Sequence, residues 1–132
     1  MKILVVDDDE AVLQWVRKQL EARRYEVDDA FSGEQALHSY LSQGPTTWDF
    51  VLSDYLFIPS PKVQNGLQLV REIRAINPKQ RMAIHTSEKG LQAPVPVLHK
   101  PYPIENLLRL LREPLKSLAA PLGTKAGTDV KN

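Results

Sequence analysis

Four places in this sequence put a reactive side chain directly after a short apolar run. The acid pair Asp7-Asp8 follows the first run, Asp54 ends the run that begins at Phe50, Thr86 closes the third, and Lys100 closes the fourth. Apolar runs of this length are typical of buried parallel strands, and ligands bind outside the carboxyl ends of such strands. We therefore expect these ends to converge on one ligand.

The residue types predict phosphoryl chemistry. Carboxylates from two strands suit Mg²⁺, which binds through one or two protein carboxylates and keeps several waters. Crowding Asp7, Asp8 and Asp54 together without a cation would cost repulsion. The Lys100 ammonium would balance phosphate charge and the Thr86 hydroxyl would donate to a phosphoryl oxygen. A free oxygen of Asp54 would then act as the nucleophile and form an acyl phosphate.

Each residue alone also has a plain structural interpretation. Acidic residues before a helix commonly cap its first turn, and we expect Asp9 and Glu10 to serve the first helix in this way. Asp54 alone could begin a turn, Thr86 could simply end a strand, and a lysine is usually a solvated charge. The ordered combination favours a shared site.

The elements that must position these residues alternate between strands and helices. Apolar runs predict strands, and residues recurring at helical spacing predict amphipathic helices between them. The predicted strands are 2–6, 25–30, 50–54, 81–86 and 95–99; the predicted helices begin near 10, 32, 67 and 104, and the last extends to about Lys116. This alternation indicates an α/β fold with a flavodoxin-like five-stranded parallel sheet of order 2-1-3-4-5.

Composition is that of an ordinary globular domain. Of 132 residues, 42% are hydrophobic, and 17 basic against 16 acidic residues give a net charge of +1, which offers no argument for a nucleic-acid or membrane partner. There is no cysteine and no apolar run long enough for a signal peptide or membrane span, so we expect a cytoplasmic protein. We expect one domain over 1–117 and a disordered tail over 118–132, with no DNA-binding segment after Lys116.

The chain resembles the receiver domains of two-component response regulators. The matching pieces are Ile3-Leu4-Val5-Val6-Asp7-Asp8, Asp54, Gly66, Thr86-Ser87 and Lys100-Pro101, which together span most of the predicted domain. The resemblance implies a CheY-like fold and a phosphoacceptor switch rather than an enzyme, with at most Mg²⁺-dependent self-phosphorylation and autodephosphorylation.

The same resemblance implies a role for each site residue. Asp54 would be the phosphoacceptor, and Asp7, Asp8, Asp54 and the backbone carbonyl of Leu56 would hold Mg²⁺. Thr86 would be the switch hydroxyl and Lys100 the phosphate partner, with a cis Lys100–Pro101 peptide. The implied partners are a sensor histidine kinase or phosphotransfer protein and a downstream protein.

Three features depart from the receiver pattern. The loop Tyr55–Asn65 is long, with an apolar tip at 56–58, and is either a tolerated insertion, a lid over the acyl phosphate or a partner contact. Between Thr86 and Val95 too few residues remain for a helical crossover, so we expect the fourth helix of a receiver to be missing or reduced. Val97 stands three positions before Lys100, where receivers commonly carry an aromatic switch residue.

The last predicted helix carries more leucines than one core face requires. They are Leu107, Leu108, Leu110, Leu111 and Leu115. With the preceding helix missing, we expect part of this stripe and of the fourth strand to be exposed as a partner or homodimer interface. The alternative is that the last helix moves over to fill the gap.

The favoured function is a stand-alone receiver that accepts a phosphoryl group on Asp54 from a histidine kinase and signals through protein contacts. One rival is a constitutive binding module with a receiver fold and no regulated phosphorylation. A second rival is a phosphatase of the haloacid-dehalogenase type, with a first-strand aspartate as nucleophile. That class expects a second acidic pair after the last strand, where this chain has Lys100-Pro101.

Overall fold

The computed structural model describes residues 1–57 and 59–113. Within them the strands are β1 (Lys2–Val6), β2 (Glu26–Ala30), β3 (Phe50–Asp54), β4 (Met82–Thr86) and β5 (Val97–His99). The helices are α1 (Glu10–Glu21), α2 (Gly33–Gln43), α3 (Gly66–Ile76) and α4 (Ile104–Arg112). The element types and their order confirm the predicted strand–helix alternation.

The described strands form one five-stranded sheet in the order β2-β1-β3-β4-β5, with every neighbouring pair parallel. This is the predicted order. Val6 pairs with Ser53, and Asp54 pairs with His85, so the carboxyl ends of the three central strands lie side by side. The residues that follow these strands are therefore neighbours along one edge of the sheet.

Alternation of side chains along the central strands divides the core into two layers. Ile3, Val5 and Leu52 point to the side covered by α1 and α4. Leu4 and Val51 point to the side covered by α2 and α3. Burial on both faces explains why these strands read as continuous apolar runs.

Polar side chains cap the helices that follow the strands. The Asp9 side chain accepts hydrogen bonds from the backbone N–H groups of Ala11 and Val12, and Ser32 and Asn65 cap α2 and α3 in the same way. These caps satisfy backbone donors that have no partner within a helix. The expectation that Asp9 and Glu10 serve α1 is confirmed, and Asp7 and Asp8 are left for another role.

The crossover from β4 to β5 contains no helix in residues 87–96, all of which are described. Val95 is buried on the α2–α3 side of the sheet, and Leu91 and Ala93 pack against the same cluster. The prediction of a missing fourth helix is confirmed. A short irregular segment covers the surface on which that helix would lie.

The expected exposure of the leucine stripe and of the fourth strand is wrong for the described residues. Leu107, Leu108 and Leu111 are buried in the core with α1, and Leu110 is half-buried against it. Every residue of β4 is buried. The physical reason is that α4 packs its whole apolar face on the sheet and α1. Leu115 and the predicted tail lie outside the described residues.

Helix α4 ends at Arg112, earlier than predicted, where Arg81 closes its last turn. One guanidinium nitrogen of Arg81, Nη2, donates to the carbonyl oxygens of Leu110, Leu111 and Glu113 at 2.6–3.0 Å. The guanidinium also lies over the Phe50 ring, 5.6 Å from its centroid. Arg81 thus ties the end of α4 to the amino end of β4.

No helix in the described part of the chain is long and apolar enough to cross a membrane.

We expect Arg81→Met to lower the free energy of unfolding by about 2–3 kcal/mol, because hydrogen bonds from a charged donor to partly buried carbonyls are lost together. Urea unfolding measures the change. Arg71→Met, at an exposed position on α3, is the matched control and should leave the midpoint nearly unchanged. Equal midpoints for the two variants would contradict the assigned role of Arg81.

Candidate functional site

The carboxyl edge of the sheet brings together three aspartates. Asp7 and Asp8 follow β1, and Asp54 ends the neighbouring strand β3. Each offers a carboxylate oxygen, and these oxygens lie within 4.8 Å of one another. Asp7 and Asp54 are buried, whereas Asp8 is exposed. The arrangement has one open side through which a ligand could enter.

Lys100 reaches this cluster from the end of β5. Its Nζ donates to Asp7 Oδ2 at 2.8 Å and lies 3.3 Å from Asp54 Oδ1. The backbone N–H of Lys100 donates to the carbonyl of Thr86, which places the lysine at the end of β4 as well. The Lys100–Pro101 peptide is cis, as the resemblance implied. Lys100 therefore bridges two of the three aspartates.

Thr86 lies at the end of β4, next to the strand that carries Asp54. Its side chain is buried, and its Oγ1 accepts a hydrogen bond from the backbone N–H of Glu88 at 3.0 Å. Because Oγ1 acts as acceptor there, the hydroxyl proton remains free for another acceptor. Leu56 follows Asp54 by two residues and is 53% exposed.

Burial and neighbouring groups shift the pKa values of the two buried aspartates in opposite directions. Burial, and next the negative charge of Asp7, raise the pKa of Asp54 to about 6, although Lys100 and the Tyr55 N–H oppose the shift. Burial also favours the neutral form of Asp7, but contacts from His85, Lys100 and the Asp9 N–H outweigh it and lower the pKa of Asp7 to about 2. Lys100 thus compensates Asp7 more fully than Asp54.

The long loop after Asp54 is packed against the start of α2. Phe57 and Val63 are both buried, and a Cβ on Gly33 would lie within 2.6 Å of each. The Ser60 hydroxyl accepts from the Val63 N–H at 3.1 Å, and the Ser60 N–H donates to the Val63 carbonyl at 3.0 Å. These contacts support a packed insertion rather than a lid. Ile58, part of the predicted apolar tip, lies outside the described residues.

Gly66 joins this loop to α3 directly beneath the site. Its N–H donates to the Tyr55 carbonyl at 2.7 Å, and a Cβ at this position would lie 2.2 Å from the Asp54 carbonyl oxygen. Only glycine allows this close approach of two backbone segments. The fixed position of Asp54 therefore depends on Gly66.

Two residues of this region were not predicted from the sequence. His85, the residue before Thr86, is fully buried, and its Nε2 lies 2.9 Å from Asp7 Oδ2, although the contact is not aligned as a hydrogen bond. Its Nδ1 lies 2.8 Å from the hydroxyl oxygen of Tyr102. The available signal was a histidine inside an otherwise apolar run.

Val97, at the position where receivers commonly carry an aromatic residue, is half-buried on the edge strand β5.

A family model described as the response regulator receiver domain matches residues 3–112. The response regulator ArlR of Staphylococcus saprophyticus is 31% identical over 123 residues, which cover 87% of this chain and 52% of that protein. The chain spans about half the length of the curated relatives that it matches.

Solved structures give the same likeness. A response regulator receiver domain protein from Clostridium thermocellum aligns with a TM-score of 0.70 and 28% identity, over 83% of this chain and 90% of that one. The response regulator TrrA of Thermotoga maritima aligns with a TM-score of 0.71 and 25% identity, over 82% and 93%. The TrrA structure is a complex with Mg²⁺ and BeF.

We expect Asp54→Asn to stabilise the metal-free protein at neutral pH by about 1–3 kcal/mol, because asparagine keeps an acceptor for the Tyr55 N–H and removes the crowded charge. The folded-state pKa of about 6 lies above the ordinary value of 3.8. The destabilisation is therefore full above pH 6 and disappears as the pH falls toward 3.8.

Urea unfolding at several pH values, in the presence of a chelator, measures this difference. Glu72→Gln, which neutralises an exposed carboxylate on α3, is the control. An Asp54→Asn protein that is no more stable than wild type at neutral pH would show that the carboxylate is not under electrostatic strain.

Proposed function

Because this chain belongs to the response regulator receiver family, whose members are signalling switches, we propose that Asp54 accepts a phosphoryl group. The observation that carries the proposal is the cluster of Asp7, Asp8 and Asp54 with the Lys100 ammonium between Asp7 and Asp54. Three carboxylates and one ammonium leave excess negative charge, which suits a divalent cation and an incoming phosphoryl group.

The residues present fit Mg²⁺. Carboxylates of Asp7, Asp8 and Asp54, with the backbone carbonyl of Leu56, would hold the ion, and the exposed side of Asp8 leaves room for its waters. Burial, and next the negative charge of Asp7, raise the pKa of Asp54, so the carboxylate is poorly compensated without a cation. When bound, Mg²⁺ neutralises this charge and polarises phosphoryl oxygens.

The chain's own residues supply the rest of the transfer. In the described part of the chain, Tyr55 N–H and Lys100 Nζ both contact Asp54 Oδ1, so we assign Oδ2 as the nucleophile. Oδ2 attacks the phosphorus of a phosphohistidine, a new P–O bond forms and the P–N bond breaks. The imidazole leaves with the electron pair and is protonated by solvent. The Asp54 carboxylate loses its charge, and the negatively charged phosphoryl oxygens now attract the Lys100 ammonium.

Lys100 and Thr86 then hold the product. The pKa of Lys100 is raised because contacts with Asp7 and Asp54 outweigh the opposing effect of burial, so its ammonium stays charged. It would pair with one phosphoryl oxygen, and the Thr86 hydroxyl would donate to another. The donor would be a sensor histidine kinase or phosphotransfer protein, and the output would be contact with a protein partner or a second copy of the chain.

A constitutive binding module is the second candidate. The packed loop after Asp54 and the irregular β4–β5 crossover favour it, since both alter surfaces near the site. Such a module would bind its partner equally well with and without a phosphoryl group.

Intact mass after incubation with Mg²⁺ and a small acyl-phosphate donor distinguishes the two candidates. We expect wild type to gain one phosphoryl group, and to gain none when a chelator is present. Asp54→Asn should gain none, because it lacks the nucleophilic oxygen, whereas Asp49→Asn, at an exposed carboxylate outside the site, should behave as wild type. Sizing chromatography of the same samples tests self-association.

A folded wild-type protein that binds Mg²⁺ and gains no mass would contradict the phosphoacceptor role. That result would favour the constitutive module. A mass gain that persists in Asp54→Asn would place the acceptor elsewhere.

A further inference from the structure

His85 and Tyr102 extend the polar contacts of the site into the core. Asp7 Oδ2 is contacted by two groups, Lys100 Nζ at 2.8 Å and His85 Nε2 at 2.9 Å. The other ring nitrogen of His85 contacts the Tyr102 hydroxyl at 2.8 Å. A continuous path of short contacts therefore runs from Lys100 through Asp7 and His85 to Tyr102.

The chemistry of the groups gives this path one direction. A carboxylate only accepts hydrogen bonds, so His85 Nε2 must carry a proton to interact favourably with Asp7. Nδ1 lies 2.8 Å from the Tyr102 hydroxyl, and in the neutral ring with its proton on Nε2 this nitrogen is the acceptor. Burial lowers the pKa of His85, which favours that neutral form. Burial also raises the pKa of Tyr102, whose hydroxyl therefore stays protonated and donates to Nδ1.

Tyr102 carries the path to the protein surface. Its ring contacts Trp15 edge-on, with centroids 5.7 Å apart, and both side chains line a groove of about 340 Å³ beside Pro101. Trp15 on α1 is 39% exposed, whereas Tyr102 is 9% exposed. A small shift of the Tyr102 ring would thus change the environment of a solvent-accessible indole.

We propose that His85 and Tyr102 couple the position of Lys100 at the acidic site to the Trp15 surface. The proposal rests on the phosphoacceptor function of Asp54. When Lys100 turns from Asp7 to a phosphoryl oxygen, Asp7 Oδ2 loses one of the two side chains that contact it in the metal-free site. His85 Nε2, which is misaligned in the present structure, then becomes the main hydrogen-bond donor to Asp7 Oδ2. The imidazole ring reorients to align this hydrogen bond. This reorientation moves Nδ1 and draws Tyr102 away from its present contact with Trp15.

His85 and Tyr102 are positioning residues in this scheme, since neither contacts the reacting atoms. This coupling does not pass through position 97, where receivers commonly carry an aromatic switch residue, because Val97 has no polar side-chain group. The coupling has two states: Lys100 contacts Asp7 in one and a phosphoryl oxygen in the other.

Fluorescence of Trp15 tests the coupling. Trp48→Phe leaves Trp15 as the only tryptophan, because the chain has two. In this background we expect Mg²⁺ and an acyl-phosphate donor to change Trp15 emission in proportion to the phosphorylated fraction, measured by intact mass on the same samples. Tyr102→Phe keeps the ring and removes only the hydroxyl, and should lose most of the emission change per phosphorylated molecule.

Two further variants separate coupling from packing. Tyr25→Phe makes the same deletion at a half-buried tyrosine next to β2 and should keep the full response. His85→Leu should lose the response as Tyr102→Phe does. Urea unfolding checks that each variant is folded. If Tyr102 had a purely structural role, Tyr102→Phe would lower stability without changing the emission response per phosphorylated molecule.

The possible failures are distinguishable. No mass gain in a folded wild-type protein would overturn both the phosphoacceptor function and the coupling. A normal mass gain with a full Trp15 response in Tyr102→Phe, or with no Trp15 response in the Trp48→Phe parent, would overturn the coupling alone.

Discussion

The crowding of negative charge at the end of two adjacent buried strands is the constraint on which the rest of this structure depends. Asp7 and Asp54 are both buried, and among the described residues a single lysine, Lys100, lies between them. Burial and the Asp7 charge raise the pKa of Asp54, and Lys100, which lies closer to Asp7, only partly offsets this. Without a metal, the site therefore carries more negative charge than the Lys100 ammonium balances. A bound cation or a phosphoryl group on Asp54 would relieve this imbalance.

The scaffold keeps these charges in place by rigid backbone contacts. Parallel pairing of β3 with β1 and β4 fixes Asp54 between its neighbours, and Gly66 lets the chain pass directly under it. The aspartates consequently cannot separate to relieve their repulsion, and the charge must be balanced by what binds.

The β4–β5 region shows how the fold tolerates a shortened crossover. Val95 and its neighbours cover β4 in place of a helix, and α4 buries Leu107, Leu108 and Leu111 in the core. The apolar surface that a missing helix would uncover is therefore closed by local packing. What changes is the shape of the surface around β5, so any partner that reads this side of the molecule meets an extended segment rather than a helix.

The sequence by itself determined the alternation of strands and helices, the strand order and the polar residues at the strand ends. Those features depend on local apolar periodicity and on the rule that parallel strands end at one edge. The tertiary structure alone decided the inward packing of Leu107 and Leu111, the contact of Arg81 with the end of α4, and the link from His85 to Tyr102. These depend on contacts between residues far apart in the chain, for which no local pattern exists.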